Sequence, residues 1–314
     1  MKKAIVIGGL GHVGSYLTPR LVEAGYEVTA ISRGNQESYT KDWPQWKEVR
    51  HIKADRRAMA ADGTFGAMIA EMKPDVVCDL VAYKPFEMED LAGALTAMET
   101  PPHLLQVGTI WVYGSKLWTP VTENHPHTDT SEYGTLKTWI ENYLMDLNGQ
   151  GKLPATVIHP GHICGKGWLP INPQGNLNPQ VYADIRAGKP ILLPDDGQAT
   201  LHHVHSDDIA MLHLACLSQP EKSCGQVFHA VSPYAMTMYG MAKGMYEAYG
   251  HTCNVEYLPW EIFKTRVSER DADITWDHIS RSPSCSMRKA EELLGFVPKY
   301  STMDILLSCS ELDA

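Results

Sequence analysis

The stretch that most constrains this chain is its first fourteen residues. Ala4-Ile5-Val6-Ile7, a short apolar and largely β-branched run, ends in Gly8-Gly9-Leu10-Gly11-His12-Val13-Gly14. Tyr16, Leu17, Leu21 and Val22 then recur at helical spacing and stop at Ala24-Gly25. The pattern predicts a buried strand, a tight turn and a helix. The glycines have separate uses: one permits the sharp turn, one lets a pyrophosphate approach the backbone, and one lets the helix pack on the strand. The helix N-terminus offers free N–H groups and a positive dipole end to phosphates. Gly9-x-Gly11-x-x-Gly14, with Gly8 before it, fits the dinucleotide-binding fingerprint. Taken alone it also fits a glycine-rich turn in some other α/β protein. Tyr26 to Ser32 reads as a second strand, which completes a β-α-β unit in about 30 residues.

With 314 residues the chain has length for one large domain or two smaller ones. A net charge of −10 disfavours general nucleic-acid binding. No apolar run is long enough for a bilayer, and the N-terminal one is too short for a secretory signal. The seven cysteines are scattered and lack C-x-x-C spacing. They read as reduced thiols of a cytoplasmic protein, neither a disulfide frame nor a zinc site.

The second strand closes at Ser32-Arg33-Gly34. An acid there would bond a ribose 2′-hydroxyl, whereas an arginine beside a small neutral residue suits a 2′-phosphate. NADP is therefore the expected cofactor and NAD the second choice. Arg33 as a solvated loop residue would leave the choice open. Val49–Lys53 is a third strand, followed by Asp55, which either accepts from an adenine amino group or caps the next helix. Met59 to Met72 reads as a helix, Pro74 to Val81 as a fourth strand, Glu87 to Met98 as a helix and His103 to Gly108 as a fifth strand. Strands alternating with helices predict a Rossmann-type, doubly wound parallel sheet.

After the fifth strand come Thr109 and Val112-Tyr113-Gly114, then Glu132-Tyr133-Gly134-Thr135-Leu136-Lys137 opening a helix. Tyr133 and Lys137 are four apart and share a helix face. A free phenol, pKa about 10, is a poor base at neutral pH. A nearby ammonium and the positive nicotinamide of an oxidised cofactor would favour its phenolate. Thr109 can bond the same substrate oxygen, which makes a proton-transfer site beside a hydride carrier. In isolation Tyr-x-x-x-Lys is more often an exposed helical pair; here it follows a dinucleotide fingerprint and a strand-end hydroxyl.

These residues resemble the extended short-chain dehydrogenase/reductase family, the NAD(P)-dependent epimerase/dehydratase group. The resemblance runs through Gly8/Gly11/Gly14, Leu80-Val81-Ala82, Thr109, Tyr133/Lys137, His159-Pro160-Gly161, Leu193 to Gly197, Val204 to Ala210 and Lys289 to Phe296. It implies Tyr133 as general acid/base and Thr109 at the Ser/Thr position. It implies Lys137 on the nicotinamide ribose, lowering the tyrosine pKa. Pro160 would lie near the nicotinamide, with Gly8, Gly11, His12, Val13, Gly14, Ser32, Arg33, Asp55, Leu80, Val81 and Ala82 lining the rest of the cofactor cleft. It further implies a dinucleotide-binding unit over 1–168, with segments near 203–235 returning to it. A substrate lobe would be built from 169–202 and 236–314. A homodimer through helices near 87–98 and 133–147 is also implied.

Departures from the family bear on substrate. Ile110 and Trp111 stand where 4,6-dehydratases carry Asp-Glu, so dehydration is not expected. Leu201-His202 replaces the Arg-Asp of many nucleotide-sugar epimerases, and His162 replaces an asparagine. Such a pocket loses charge-assisted bonds to phosphate. Asn176-Leu177 still resembles the nucleotide-sugar pattern, and Arg281 or Arg288 could replace the missing charge. Trp111, His162, Asn176 and His202 or His203 are the candidate substrate-binding residues, with no metal expected at the histidines. Trp111 and Trp118 either stack a sugar face or fill core. Residues 253–283 read as a solvated surface or a lid. The expected activity is oxidation, reduction or epimerisation at a hydroxyl or carbonyl of a small carbohydrate-like molecule. The alternatives are a nucleotide-sugar 4-epimerase and a non-catalytic NADP-binding protein of regulatory or RNA-associated kind.

Overall fold

A computed structural model describes residues 1–114 and 116–309. Its strands are β1 (Lys3–Ile7), β2 (Glu27–Ser32), β3 (Arg50–Lys53), β4 (Val76–Asp79), β5 (His103–Val107), β6 (Ala155–Pro160), β7 (His162–Cys164), β8 (Ile191–Pro194), β9 (Thr200–Leu201), β10 (His203–His205), β11 (Gln226–Ala230), β12 (Met236–Thr237) and β13 (Val255–Leu258). Seven of them form one parallel sheet in the order β11-β6-β5-β4-β1-β2-β3. Strand order reverses between β1 and β4, where open α/β sheets leave a crevice at the strand ends. Ile7 pairs with Ile31 and Asp79, Asp79 with Gln106, and Val107 with Ile158. That register brings the turn after β1, residues 80–83, Gly108-Thr109 and Gly161 to one edge.

The central strands β1, β4, β5 and β6 are covered on both faces and buried nearly throughout, while the edge strand β3 is polar and largely exposed. Ala4 and Val6 face a layer containing α1 (His12–Glu23), while Ile5 and Ile7 face the layer of α2 (Arg56–Ala61), α3 (Phe65–Glu71), α4 (Pro85–Thr96) and α5 (Glu132–Gly149). α6 (Pro179–Arg186) belongs to a third apolar cluster with helix Met238–Ala248. α7 (Ser206–Ser218) lies on α1, where Arg20 forks onto both carboxylate oxygens of Asp207. Pro19 inside α1 has no N–H to give the Ser15 carbonyl. The Thr40 hydroxyl takes that carbonyl at 2.5 Å and pins the loop after β2 to the helix.

The continuous helix expected over 59–72 is two helices. Asp62-Gly63-Thr64 breaks it, with Gly63 at φ +67°, a left-handed conformation that glycine adopts without steric cost. Residues 253–283 are not simply surface. β13 pairs with β8, and helix Glu269–Arg281 buries Ala272, Thr275 and His278. No helix among the described residues is long and apolar enough to cross a membrane.

Candidate active site

The turn after β1 is shaped by its glycines. Gly8 has φ +87°, and a Cβ there would stand 2.7 Å from Val81. A Cβ on Gly14 would run into the Gly8 carbonyl and Gly9, so α1 approaches the strand only through glycine. At Gly11 a Cβ would press on the Gly8 carbonyl oxygen at 3.2 Å and meet nothing else within 4 Å, a milder conflict than at Gly14. The N-terminus of α1 has neither a side-chain cap nor an acidic residue in its first turn. Its N–H groups are therefore available to an anion. A cleft of about 430 Å³ continues from Gly8 and Gly11 to Ser32, Arg33, Asp55 and Val81. These residues fit a dinucleotide.

Within that cleft, Ser32 Oγ lies 2.7 Å from His51 Nε2 and accepts from the Gly34 N–H at 3.1 Å. Asp55 caps α2, accepting from Ala58 N at 3.1 Å, and also faces the cleft. Val13 is buried core. His12 packs between Tyr39 and Trp168, and burial holds its pKa near 3, so the ring is neutral. Leu80 lines the adjoining cavity, while Ala82 is fully buried and offers its carbonyl to Lys137.

That adjoining cavity, about 440 Å³, lies at the ends of β5 and β6. Thr109, Trp111, Tyr133, Lys137, Pro160, His162, Trp168 and His278 are among its walls. Ser131 caps α5 and starts the helix so that Tyr133 and Lys137 face inward together. Tyr133 and Thr109 share the cavity wall, and the Thr109 side chain acts to lower the phenol pKa. Thr109 Oγ1 accepts from the Trp111 N–H at 3.2 Å, which fixes the hydroxyl. Burial raises the Tyr133 pKa to about 12, helped by Tyr83 and opposed by Thr109. Lys137 is 3% exposed. Burial pulls its pKa down to about 8, against the attraction of Asp79.

Behind Gly108 a buried network supports this strand end. A Cβ on Gly108 would collide with the His159 ring. His159 Nε2 is 2.7 Å from Glu141, one helical turn beyond Lys137, and His159 Nδ1 is 3.3 Å from the Tyr113 hydroxyl.

The candidate substrate residues divide. Trp111 and His162 line the cavity; Asn176 and His202 do not. Asn176 is fully buried and bonded to Asn172, Asn178 and Thr275, holding a turn that sends Leu177 to the cavity. His202 is fully buried between the Ser232 carbonyl and the Cys285 N–H. His203 bonds the Ile171 carbonyl at 3.0 Å. Arg281 stacks on Trp111 at 4.3 Å but lines a separate crevice and pairs with Asp129 and Asp277. Arg288 pairs with Glu292 on the surface. Among the described residues no group of histidines, cysteines and carboxylates has metal-holding geometry. Sequence reasoning missed Tyr83, Trp168 and the cavity role of His278. Only a tertiary contact brings them there, and the histidine on an otherwise amphipathic helix was the one visible signal.

A parallel sheet with its glycine turn at the switch point, and a Tyr-Lys pair over the adjoining strand ends, define a Rossmann-type nicotinamide-dependent enzyme. The chain belongs to the NAD dependent epimerase/dehydratase family, whose profile matches residues 4–231. It is similar to the 2′-dehydrokanamycin reductase of Streptomyces kanamyceticus, 26% identical over 88% of this chain and 76% of that one. It is also similar to the chloroplast stem-loop binding protein of 41 kDa b of Arabidopsis thaliana, 26% identical over 99% and 79%. Its fold superposes on a UDP-glucose-4-epimerase from Stenotrophomonas maltophila with bound NAD and formylated UDP-arabinopyranose. There the TM-score is 0.76 and the identity 17%, over 99% and 97% of the two chains. It is an NAD(P)-dependent enzyme of the oxidoreductase and epimerase kind.

Proposed function

We propose that this enzyme oxidises or reduces a carbinol carbon of a sugar-like substrate with NADP(H), Tyr133 carrying the proton. The observation that carries the reading is that Thr109, Tyr133 and Lys137 line one cavity, with the Thr109 side chain favouring the Tyr133 phenolate. When bound, the dinucleotide supplies the hydride acceptor or donor. Tyr133 takes the hydroxyl proton as the carbonyl forms and returns it in reduction. Thr109 holds the same oxygen. Lys137 keeps a positive charge near the phenol and offers its ammonium to ribose hydroxyls. Gly8, Gly11, Gly14 and the α1 N-terminus hold the pyrophosphate, and Pro160 stands beside the reacting end.

Arg33 supports NADP: it lines the cleft at the end of β2, where no carboxylate follows the strand. Ile110 and Trp111 offer no acid or base for dehydration. A homodimer through α4 and α5 fits the half-exposed Phe86 and the Trp139–Tyr143 stack, 5.0 Å between ring centres, on those helices. Sedimentation tests it. The seven free cysteines fit a reducing compartment.

The deciding experiment is turnover with and without Tyr133→Phe. Loss of activity by about 10²–10⁴-fold with cofactor affinity retained is expected. Full activity in the variant overturns the assignment. Net cofactor reduction marks a dehydrogenase; redox-neutral interconversion of a nucleotide sugar marks the epimerase alternative named by the structural neighbour. Tight cofactor binding with no turnover favours a binding protein, in line with the chloroplast relative's name.

A further inference from the structure

We infer that His162 recognises a substrate hydroxyl and that the substrate is an uncharged polyhydroxylated ring, carrying neither a phosphate nor a nucleoside diphosphate. The inference rests on the redox reading above and names the substrate class of that same cavity.

His162 opens β7, directly after Gly161, whose missing side chain lets the backbone press against the His202 carbonyl. Its ring stands in the cavity wall, 4.3 Å from His278 and 6.1 Å from Trp111, centre to centre. Its Nε2 is buried and has no hydrogen-bond partner in the chain. The neighbouring histidines differ: His202, His203 and His278 each have a ring nitrogen on a backbone carbonyl, of Ser232, Ile171 and Ile274. His203 Nδ1 is also unpartnered, but His203 does not line the cavity. A small turn of the ring toward the cavity would give this orphaned nitrogen a partner on whatever fills it. Burial holds the His162 pKa well below the usual value, so the ring is neutral and exchanges a hydrogen bond with a hydroxyl as donor or acceptor according to its tautomer.

The charge of the walls narrows the class. Among the described residues no arginine, aspartate or glutamate lines the cavity. Among the same residues its one cation, Lys137, gives two of its three N–H donors to the Ala82 and Val107 carbonyls, and the third is the one left for the cofactor ribose. Arg281 is screened by the Trp111 ring and held by Asp129 and Asp277. A phosphate entering here would leave its hydration without a charge-assisted partner. Trp111 and Trp168 instead present apolar surface suited to the C–H face of a ring.

The test uses the full-length enzyme with three probe classes: free hexoses and inositols, hexose phosphates, and UDP-hexoses. The variants are His162→Leu and His162→Gln, with dinucleotide affinity measured beside turnover. Turnover confined to the uncharged class is expected. His162→Leu should raise KM about tenfold, the worth of one hydrogen bond to a buried group, with cofactor affinity unchanged. His162→Gln should recover most of that loss. Turnover on phosphorylated or nucleotide-linked probes alone, or an unchanged KM in His162→Leu, overturns this inference and leaves the redox reading standing. No turnover by the wild type on any class overturns both.

Discussion

The Lys137 ammonium lies 5.9 Å from the centre of the Tyr133 ring and gives its hydrogen bonds to the Ala82 and Val107 carbonyls, at 2.8 and 2.9 Å. The expected lowering of the phenol pKa is therefore absent from the cofactor-free chain. Burial acts on both groups against their charged forms, putting Lys137 near 8 and Tyr133 near 12. Ultraviolet difference titration of wild type against Tyr133→Phe should show no phenolate below about pH 11 without cofactor. Saturation with oxidised dinucleotide places a positive ring nearby and should move the titration to lower pH. An unmoved titration would contradict a basic role for Tyr133.

Gly11 and Gly14 should respond differently to alanine. At Gly14 the new methyl meets the Gly8 carbonyl and the Gly9 backbone, which cannot step aside. Destabilisation of about 1–3 kcal/mol, read by urea unfolding, is expected. At Gly11 the nearest atom is 3.2 Å away, so stability should hold within about 1 kcal/mol. Dinucleotide affinity should fall in Gly11→Ala, because the methyl projects where a pyrophosphate would lie. Equal stability losses in the two variants would show that the turn is not built as described.

β1, β4 and β5 were legible because each is a short, mostly apolar run buried on both faces, whereas β3 is polar and largely exposed and β11 was not read as a strand. Tyr133, Lys137 and Thr109 were legible because one helix turn and one strand end set their spacing. Residues 59–72 kept helical spacing through Asp62-Gly63-Thr64, and only the backbone at Gly63 showed the break. Asn176 and His202 looked like pocket residues because Asn176-Leu177 resembles the nucleotide-sugar pattern and His202 falls in the pair that replaces an Arg-Asp of many nucleotide-sugar epimerases. Polarity does not say whether a group is satisfied inside the chain, and both are, through partners up to 99 residues away. His278 and Trp168 reach the cavity through tertiary packing, which no local pattern records.

Cofactor choice should depend on Arg33. A 2′-phosphate carries charge that a guanidinium meets with paired hydrogen bonds. Removing such a bond costs about 1.5–3 kcal/mol, roughly 10–100-fold in affinity. Arg33→Ala should raise KM for NADPH by that factor and leave KM for NADH within about twofold. Since Arg33 is exposed, stability should not change. A parallel loss for both cofactors would mean that the arginine does not read the 2′ position.

The Glu141–His159 pair should show its worth as a function of pH. Burial would raise the Glu141 pKa, but His159, 2.7 Å away, together with His127 outweighs it and holds the carboxyl below its ordinary value. A carboxylate lowered on folding contributes stability above its unfolded pKa of about 4.3 and loses that contribution as pH falls through the folded value. Glu141→Gln keeps the shape and removes the charge, so it should cost about 2 kcal/mol at neutral pH. The gap between wild type and variant should narrow as pH is lowered below about 4, where the wild-type carboxylate is protonated as well. Urea unfolding of both proteins across that range reads the difference directly. A gap that stays constant on acidification would mean that Glu141 acts through packing alone. Because the His159 ring lies against Gly108, one residue before Thr109, the same variant should also lower kcat at neutral pH.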